Sequence, residues 1–270
     1  MADQPSMAKF FRELHVREEP FLLPNPWDAG SAKLLASLGF EALSTTSLGA
    51  STMLGTTIAN LDAVIENCRE ICVVTDLPVN ADLENGFVDD PEEAAEAPVL
   101  ACEARAVGGS IEDATGDSFA PIYNFGLVIE RIEAAVESVR SLLVEFVLTA
   151  CAEGLLYGYG EIGDAIKRPQ AFEAVGADCL YAPGLKTIDD MRRVVDAVGK
   201  PVNVVMGFAD PSITFDQLAE IGVRRVSIGV GLSRVALSAM MDAARGMKAG
   251  RFDFIRGMIG VGELRGAFGE

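Results

Sequence analysis

The chain has 270 residues, half of them hydrophobic and 23% charged, enough for one large core and with no low-complexity segment that would suggest disorder. Forty Asp and Glu face 22 Lys and Arg, a formal charge of −18, so binding to nucleic acid or to an anionic membrane surface is disfavoured for want of cations. One histidine, His15, and five cysteines with no CxxC pair rule against a His-rich zinc site or a Ser-His-Asp triad, and a reduced, cytoplasmic setting is expected.

The opening MADQPSMAKFFRELHVREEP is charged throughout and shows neither a secretory leader nor a membrane span. It reads as a first helical stretch in which His15 is packed or solvated. Short apolar, often β-branched runs then recur at 21–26, 42–47, 78–84, 109–113, 146–152, 179–183, 201–206 and 225–230, ending at Gly, Pro or acidic residues as buried parallel strands do. Amphipathic stretches separate them. Asp28 can cap the first, which stops at Gly39, and Asn60 can cap 61–75. Asp90-Pro91 opens 91–109, where Pro98 predicts a kink. The stretches 127–143 and 161–175 follow, the latter carrying Pro169, which predicts a late start or a bend. Thr187 can cap 188–199, and 215–221 and 233–249 complete the set.

Eight strands alternating with eight helices predict an α/β fold, a (β/α)₈ TIM barrel over residues 1–250. A doubly wound sheet would require a Gly-rich phosphate turn after the first strand, where Asn25-Pro26-Trp27-Asp28 stands instead. Residues 251–270 form a C-terminal extension, and Phe252, Phe254, Ile255, Met258, Ile259 and Val261 need burial there, which a partner subunit would supply.

In such barrels chemistry gathers where the strands end. The second strand ends in Thr45-Thr46-Ser47, the third in Asp82-Leu83-Glu84, the fourth in Glu112-Asp113; the fifth carries Cys151 and Glu153, and the seventh Asn203. Asp82 and Glu84 are two apart and share a strand face, with Glu112 on the next strand. Three converging carboxylates must either hold protons or enclose a cation, unless each is only a helix cap or ion-pair partner. An all-oxygen donor set favours Mg²⁺, with Mn²⁺ the next choice. Gly108-Gly109 reads as a flexible turn. Cys151 reads as a small buried residue, because its local partner is a carboxylate, which discourages a thiolate.

In the stretches LPNPWDAGSAKLLASLGFEALSTTSLGAS, DLPVNADLENGF, GGSIEDATGD, FVLTACAEGLLYG, AFEAVGADCLYAPGL, KPVNVVMG and LAEIGVRRVSIG the chain resembles the isocitrate lyase/phosphoenolpyruvate mutase superfamily, over about residues 22–254. The resemblance implies a metal site of Asp82, Glu84 and Glu112, with Asp82, Glu112 and Glu153 as the catalytic acids. It also implies substrate contacts at Thr46, Ser47, Leu48, Cys151 and Asn203, and a homodimer or homotetramer that swaps its last barrel helix. The implied activity is a Mg²⁺-dependent lyase that makes or breaks a C–C bond in a small 2-oxo or 2-hydroxy carboxylate through a metal-stabilised enolate. Two departures stand out: the strand-five motif L-T-A-R-A-E has Cys151 in place of Arg, and an acidic loop position is Ile58. The lyase loop K-K-C-G-H is ATGDSFAPIYNF here. Altered substrate recognition is therefore expected, with a repurposed biosynthetic enzyme or a non-catalytic binding or assembly protein as alternatives. Tyr123 and Tyr181 are the candidates for a general acid or base.

Overall fold

A computed structural model describes residues 2–270. Eight strands lie parallel in one sheet: β1 (Phe21–Leu23), β2 (Leu43–Ser44), β3 (Val79–Asp82), β4 (Gly108–Glu112), β5 (Val147–Cys151), β6 (Cys179–Tyr181), β7 (Val202–Val205) and β8 (Arg225–Ser227). The order β1-β8-β7-β6-β5-β4-β3-β2 leaves β1 and β2 as the two free edges. Polar bonds lace that seam. The Ser44 N–H donates to the Pro24 carbonyl at 3.0 Å, and Asn25 Nδ2 donates to the Thr45 carbonyl at 3.0 Å. Asn25 Oδ1 in turn accepts from the N–H groups of Ile228 and Gly229, so one side chain ties the ends of β1, β2 and β8 together. The result is the expected (β/α)₈ barrel, nearly closed.

The helices are α1 (Gln4–Val16), α2 (Ala29–Ser37), α3 (Ser47–Met53), α4 (Leu61–Val73), α5 (Pro91–Ala94), α6 (Glu96–Glu103), α7 (Phe125–Arg140), α8 (Ile162–Ala174), α9 (Ile188–Asp196), α10 (Phe215–Glu220), α11 (Gly231–Lys248) and α12 (Val261–Phe268). Asp28, Asn60, Asp90 and Thr187 all accept from first-turn N–H groups, as their positions predict. The 91–109 stretch divides at Ala95 rather than bending at Pro98. Pro98 falls in the first turn of α6, where an N–H would have no intrahelical partner. Helix α8 starts where expected and passes through Pro169, whose ring is buried, so the late start is not seen.

The core lies between strands and helices, and a separate cluster closes the barrel floor. Helix α1 brings Met7, Phe11 and Leu14 against Phe21, Val107, Val147 and Cys179 at the strand starts. Gly108 and Gly109 are not a flexible turn: they begin β4. A Cβ at Gly108 would stand 2.7 Å from the Phe11 ring, and one at Gly109 2.9 Å from Leu83, so glycine is what lets this strand meet its neighbours.

Beyond β8 the burial changes. Helix α11 buries only Ser233, while Val235, Met240, Met241 and Met247 stay exposed. After a 3₁₀ turn at Asp253–Gly257, α12 packs beside α2, with Lys33 Nζ 5.9 Å from the Phe268 ring centre. Phe252, Ile255, Met258 and Ile259 remain exposed.

Candidate active site

A cavity of about 380 Å³ opens at the C-terminal ends of the strands and draws its walls from all eight of them or the loops that follow. Asp82, Glu84, Glu112 and Glu153 all line it, so β3, β4 and the end of β5 do bring the acidic residues together. Their ordering is specific. Asp82 Oδ2 accepts from the Ser47 N–H at 2.8 Å and from Ser47 Oγ at 2.9 Å. Glu84 sits at φ 46°, a left-handed turn that swings its carboxylate over the cavity, and the Glu112 N–H donates to its carbonyl at 2.8 Å.

The carboxylates are held in difficult surroundings. Burial raises Asp82 above its usual range despite the two Ser47 bonds. Glu84 rises through burial and the charge of Asp82. Glu112 is pushed well up by burial, then by Glu153, Asp82, Glu84 and Asp113, and Glu153 is also pushed well up by burial, Asp113 and Asp82. Among the described residues no Lys or Arg ion-pairs with any of these four. Asp113 is different: it is fully buried but salt-bridged to Arg168 at 2.9 Å, and its Oδ1 accepts from the Glu153 N–H at 2.6 Å. Asp113 and Arg168 thus fix the backbone that carries Glu153.

The remaining expected residues divide. Thr46 caps α3 by accepting from the Gly49 N–H, and Leu48 stands half-exposed on the cavity wall. Ser47 spends both of its donors on Asp82, so it orders that carboxylate rather than offering an oxyanion donor. Cys151 is buried in the barrel interior and does not form part of the cavity wall, and burial with Glu153 and Glu112 nearby pushes its thiol well up. Asn203 lines the cavity, donating to Ser227 Oγ at 3.0 Å and accepting from Arg225 Nε at 2.9 Å. Ile58 projects into solvent. Tyr181 lines the cavity, whereas Tyr123 lies behind it, donating to Asp89 and accepting from Asn85. Tyr123 is structural.

Three contributors escaped the sequence: the Asp113–Arg168 pair, Tyr157 at the mouth, and Arg225 on the floor. Alternation along RVS could have placed Arg225 inward with Ser227, because both share a face of β8. Among the described residues no three His, Cys, Asp or Glu side chains gather closely enough to hold an ion by direct ligation alone. Mg²⁺ commonly keeps several waters and takes one or two carboxylates. A cavity lined by four carboxylate side chains, none with a cationic partner among the described residues, fits such an ion, with part of the contact made through water.

A nearly closed parallel barrel with acidic residues at the ends of its third to fifth strands is the arrangement that the resemblance to the isocitrate lyase/phosphoenolpyruvate mutase superfamily implies, and the comparisons bear out that superfamily. The chain belongs to the phosphoenolpyruvate phosphomutase family, whose model matches residues 11–248. It is 29% identical over 255 residues to the oxaloacetate decarboxylase of Paraburkholderia xenovorans, covering 88% of this chain and 81% of that one. It is 28% identical over 225 residues to the 2-methylisocitrate lyase of Escherichia coli, covering 79% and 75%. A Burkholderia cenocepacia J2315 protein, described as a candidate lyase/mutase, superposes with a TM-score of 0.96 at 46% identity, covering 99% of this chain and 97% of that one.

Proposed function

We propose that the chain is a Mg²⁺-dependent carbon–carbon lyase acting on a small 2-oxo or 2-hydroxy carboxylate. The observation that carries this is the acidic cavity: four carboxylates, Glu153 buried and the others largely shielded, with no ion-pair partner among the described residues, on the face where barrels of this kind place their chemistry. Its relatives include enzymes named for oxaloacetate and 2-methylisocitrate, both small acids of this class. Bound Mg²⁺ would supply Lewis-acid polarisation of the substrate's 2-oxygen.

The chain's own residues do the rest. Asp82, locked by Ser47, would hold the ion together with Glu84 and Glu112, directly or through water. Burial and the neighbouring carboxylates make Glu112 and Glu153 hold a proton more tightly than an ordinary carboxyl does, which suits either to give or take one as negative charge develops on the substrate. Tyr181 is a further proton donor lining the same space. Leu48, Leu156, Tyr157 and Phe208 stand half-exposed at the mouth and would shut water away from the reacting bond. Cys151 supports altered substrate recognition, because position 151 offers no charge-assisted donor to a second carboxylate. We also propose that the exposed apolar side chains of α11 pack on a second subunit, giving a homodimer or homotetramer.

The test is thermal melting with Mg²⁺, then turnover of oxaloacetate, 2-methylmalate and phosphonopyruvate. An ion bound only by the folded state at a hundred times its Kd adds about 2.7 kcal/mol of stability, so a shift of several degrees is expected. No shift at millimolar Mg²⁺ and no turnover would leave a binding or assembly protein.

A further inference from the structure

The strand register threads one row of side chains round the interior. Glu112 pairs with Cys151, Cys151 with Tyr181, Tyr181 with Asn203, and Asn203 with Arg225. Partners in adjacent parallel strands point to the same face, so Arg225 belongs to the row that holds Cys151. Arg225 is 2% exposed and also lines the cavity. Its Nε donates to Asn203 Oδ1 at 2.9 Å, and its Nη1 lies 3.3 Å from His15 Nε2.

The histidine's role follows from its other nitrogen. His15 Nδ1 is 2.8 Å from the Phe11 carbonyl, which can only accept, so Nδ1 carries the hydrogen and Nε2 offers its lone pair to Arg225. The only histidine of the chain, on the helix that closes the barrel floor, therefore fixes the position of a guanidinium in the cavity wall. Both groups that hold Arg225 are neutral. Among the described residues no carboxylate pairs with it, although the chain has 40 of them. A buried guanidinium without a counter-ion is costly, and the cost is removed when an anion arrives. Cys151, small and in the same row, leaves the interior beside it free of a second long cation.

We propose that Arg225 is the carboxylate-binding residue of this site, receiving an acid group of the substrate from β8, with His15 and Asn203 as its positioning residues. This rests on the small-carboxylate function proposed above and names the residue that recognises the acid. The probe is oxalate, titrated calorimetrically into Mg²⁺-loaded wild-type protein and the R225Q and R225K variants. R225Q is expected to bind oxalate roughly 10- to 100-fold more weakly, with R225K between, while the melting shift from Mg²⁺ alone stays at least as large as in wild type. A folded R225Q with wild-type oxalate affinity overturns the assignment but leaves the function standing. Wild-type protein that takes neither Mg²⁺ nor oxalate overturns the function and this assignment with it. If R225Q does not fold, the wild type decides: in ¹⁵N-histidine-labelled, tag-free protein loaded with Mg²⁺, the single Nε2 resonance should move when oxalate is added. A resonance that stays in place as oxalate saturates the protein overturns the proposal.

Discussion

Arg168 stands behind the cavity and acts on it through Asp113, which holds the Glu153 backbone. Arg168→Ala leaves a fully buried carboxylate without its partner, which is expected to cost about 3–5 kcal/mol in chemical denaturation. Adding Asp113→Asn should recover part of that stability; no recovery would mean that Arg168 matters for its contact with the Tyr123 carbonyl instead. The pH dependence has two opposite parts. His15 is held down to about 3 by burial and by Arg225, so its contribution is present above its ordinary 6.5 and is lost as pH falls below that. Glu112 and Glu153 are raised well above their ordinary 4.5, so they hold protons more tightly folded than unfolded, and their contribution is lost as pH rises through the raised values. Between 4.5 and 6.5 the two carboxylates outweigh the one imidazole, so metal-free protein should melt highest near pH 4.5, where the unfolded carboxyls begin to ionise, and lower on either side. Glu112→Gln should flatten the alkaline limb; an unchanged limb would show that Glu112 is ionised in the metal-free fold. Asp82, Glu84 and Glu112 were legible as neighbours at the strand ends, but not the way Glu84 arrives: β3 stops at Asp82, and a left-handed turn rather than strand alternation carries Glu84 to the cavity. Ser47 was legible as a site residue but not in its role, because whether its donors serve a ligand or Asp82 depends on a contact 35 residues away in sequence.

Loops after the strands carry the mouth of the site, and one close approach sets their spacing. Gly184, at φ 90° after β6, would place a Cβ 2.6 Å from the Leu156 N–H nitrogen and 2.7 Å from the Leu155 carbonyl carbon. Gly184→Ala therefore combines a left-handed backbone penalty with a clash against the loop bearing Leu156 and Tyr157. It should destabilise by about 1–3 kcal/mol and raise KM more than it lowers kcat; unaltered kinetics would separate that loop from the substrate. Helix starts were readable because Asp28, Asn60, Asp90 and Thr187 act on N–H groups within three residues. Helix α3 was not readable. Its seven residues are too few to show a periodicity, and it is held by its Thr46 cap and by the Ser47–Asp82 contact.

Across the whole molecule the unfinished surface is α11. Val235 and Met240 are 67% and 58% exposed on a helix that should cover its barrel, and an apolar stripe of this kind on one chain is normally covered by another. Sedimentation should give a dimer or tetramer, and Val235→Asp with Met240→Asp should shift it toward monomer; a wild-type monomer at micromolar concentration would count against subunit packing. Among the described residues no helix is long and apolar enough to cross a membrane, and all five cysteines are free and buried. By itself the sequence determined the strand and helix alternation, the barrel that follows from it, and the acidic rim, because those depend on periodicity, caps and residues two apart. Only the tertiary structure decided which charges are paired and which are not. Arg168 finds Asp113 across 55 residues, while Arg225 meets His15 across 210 and, among the described residues, finds no carboxylate. Such pairings are set by barrel closure and strand register, which bring together residues that no local pattern connects.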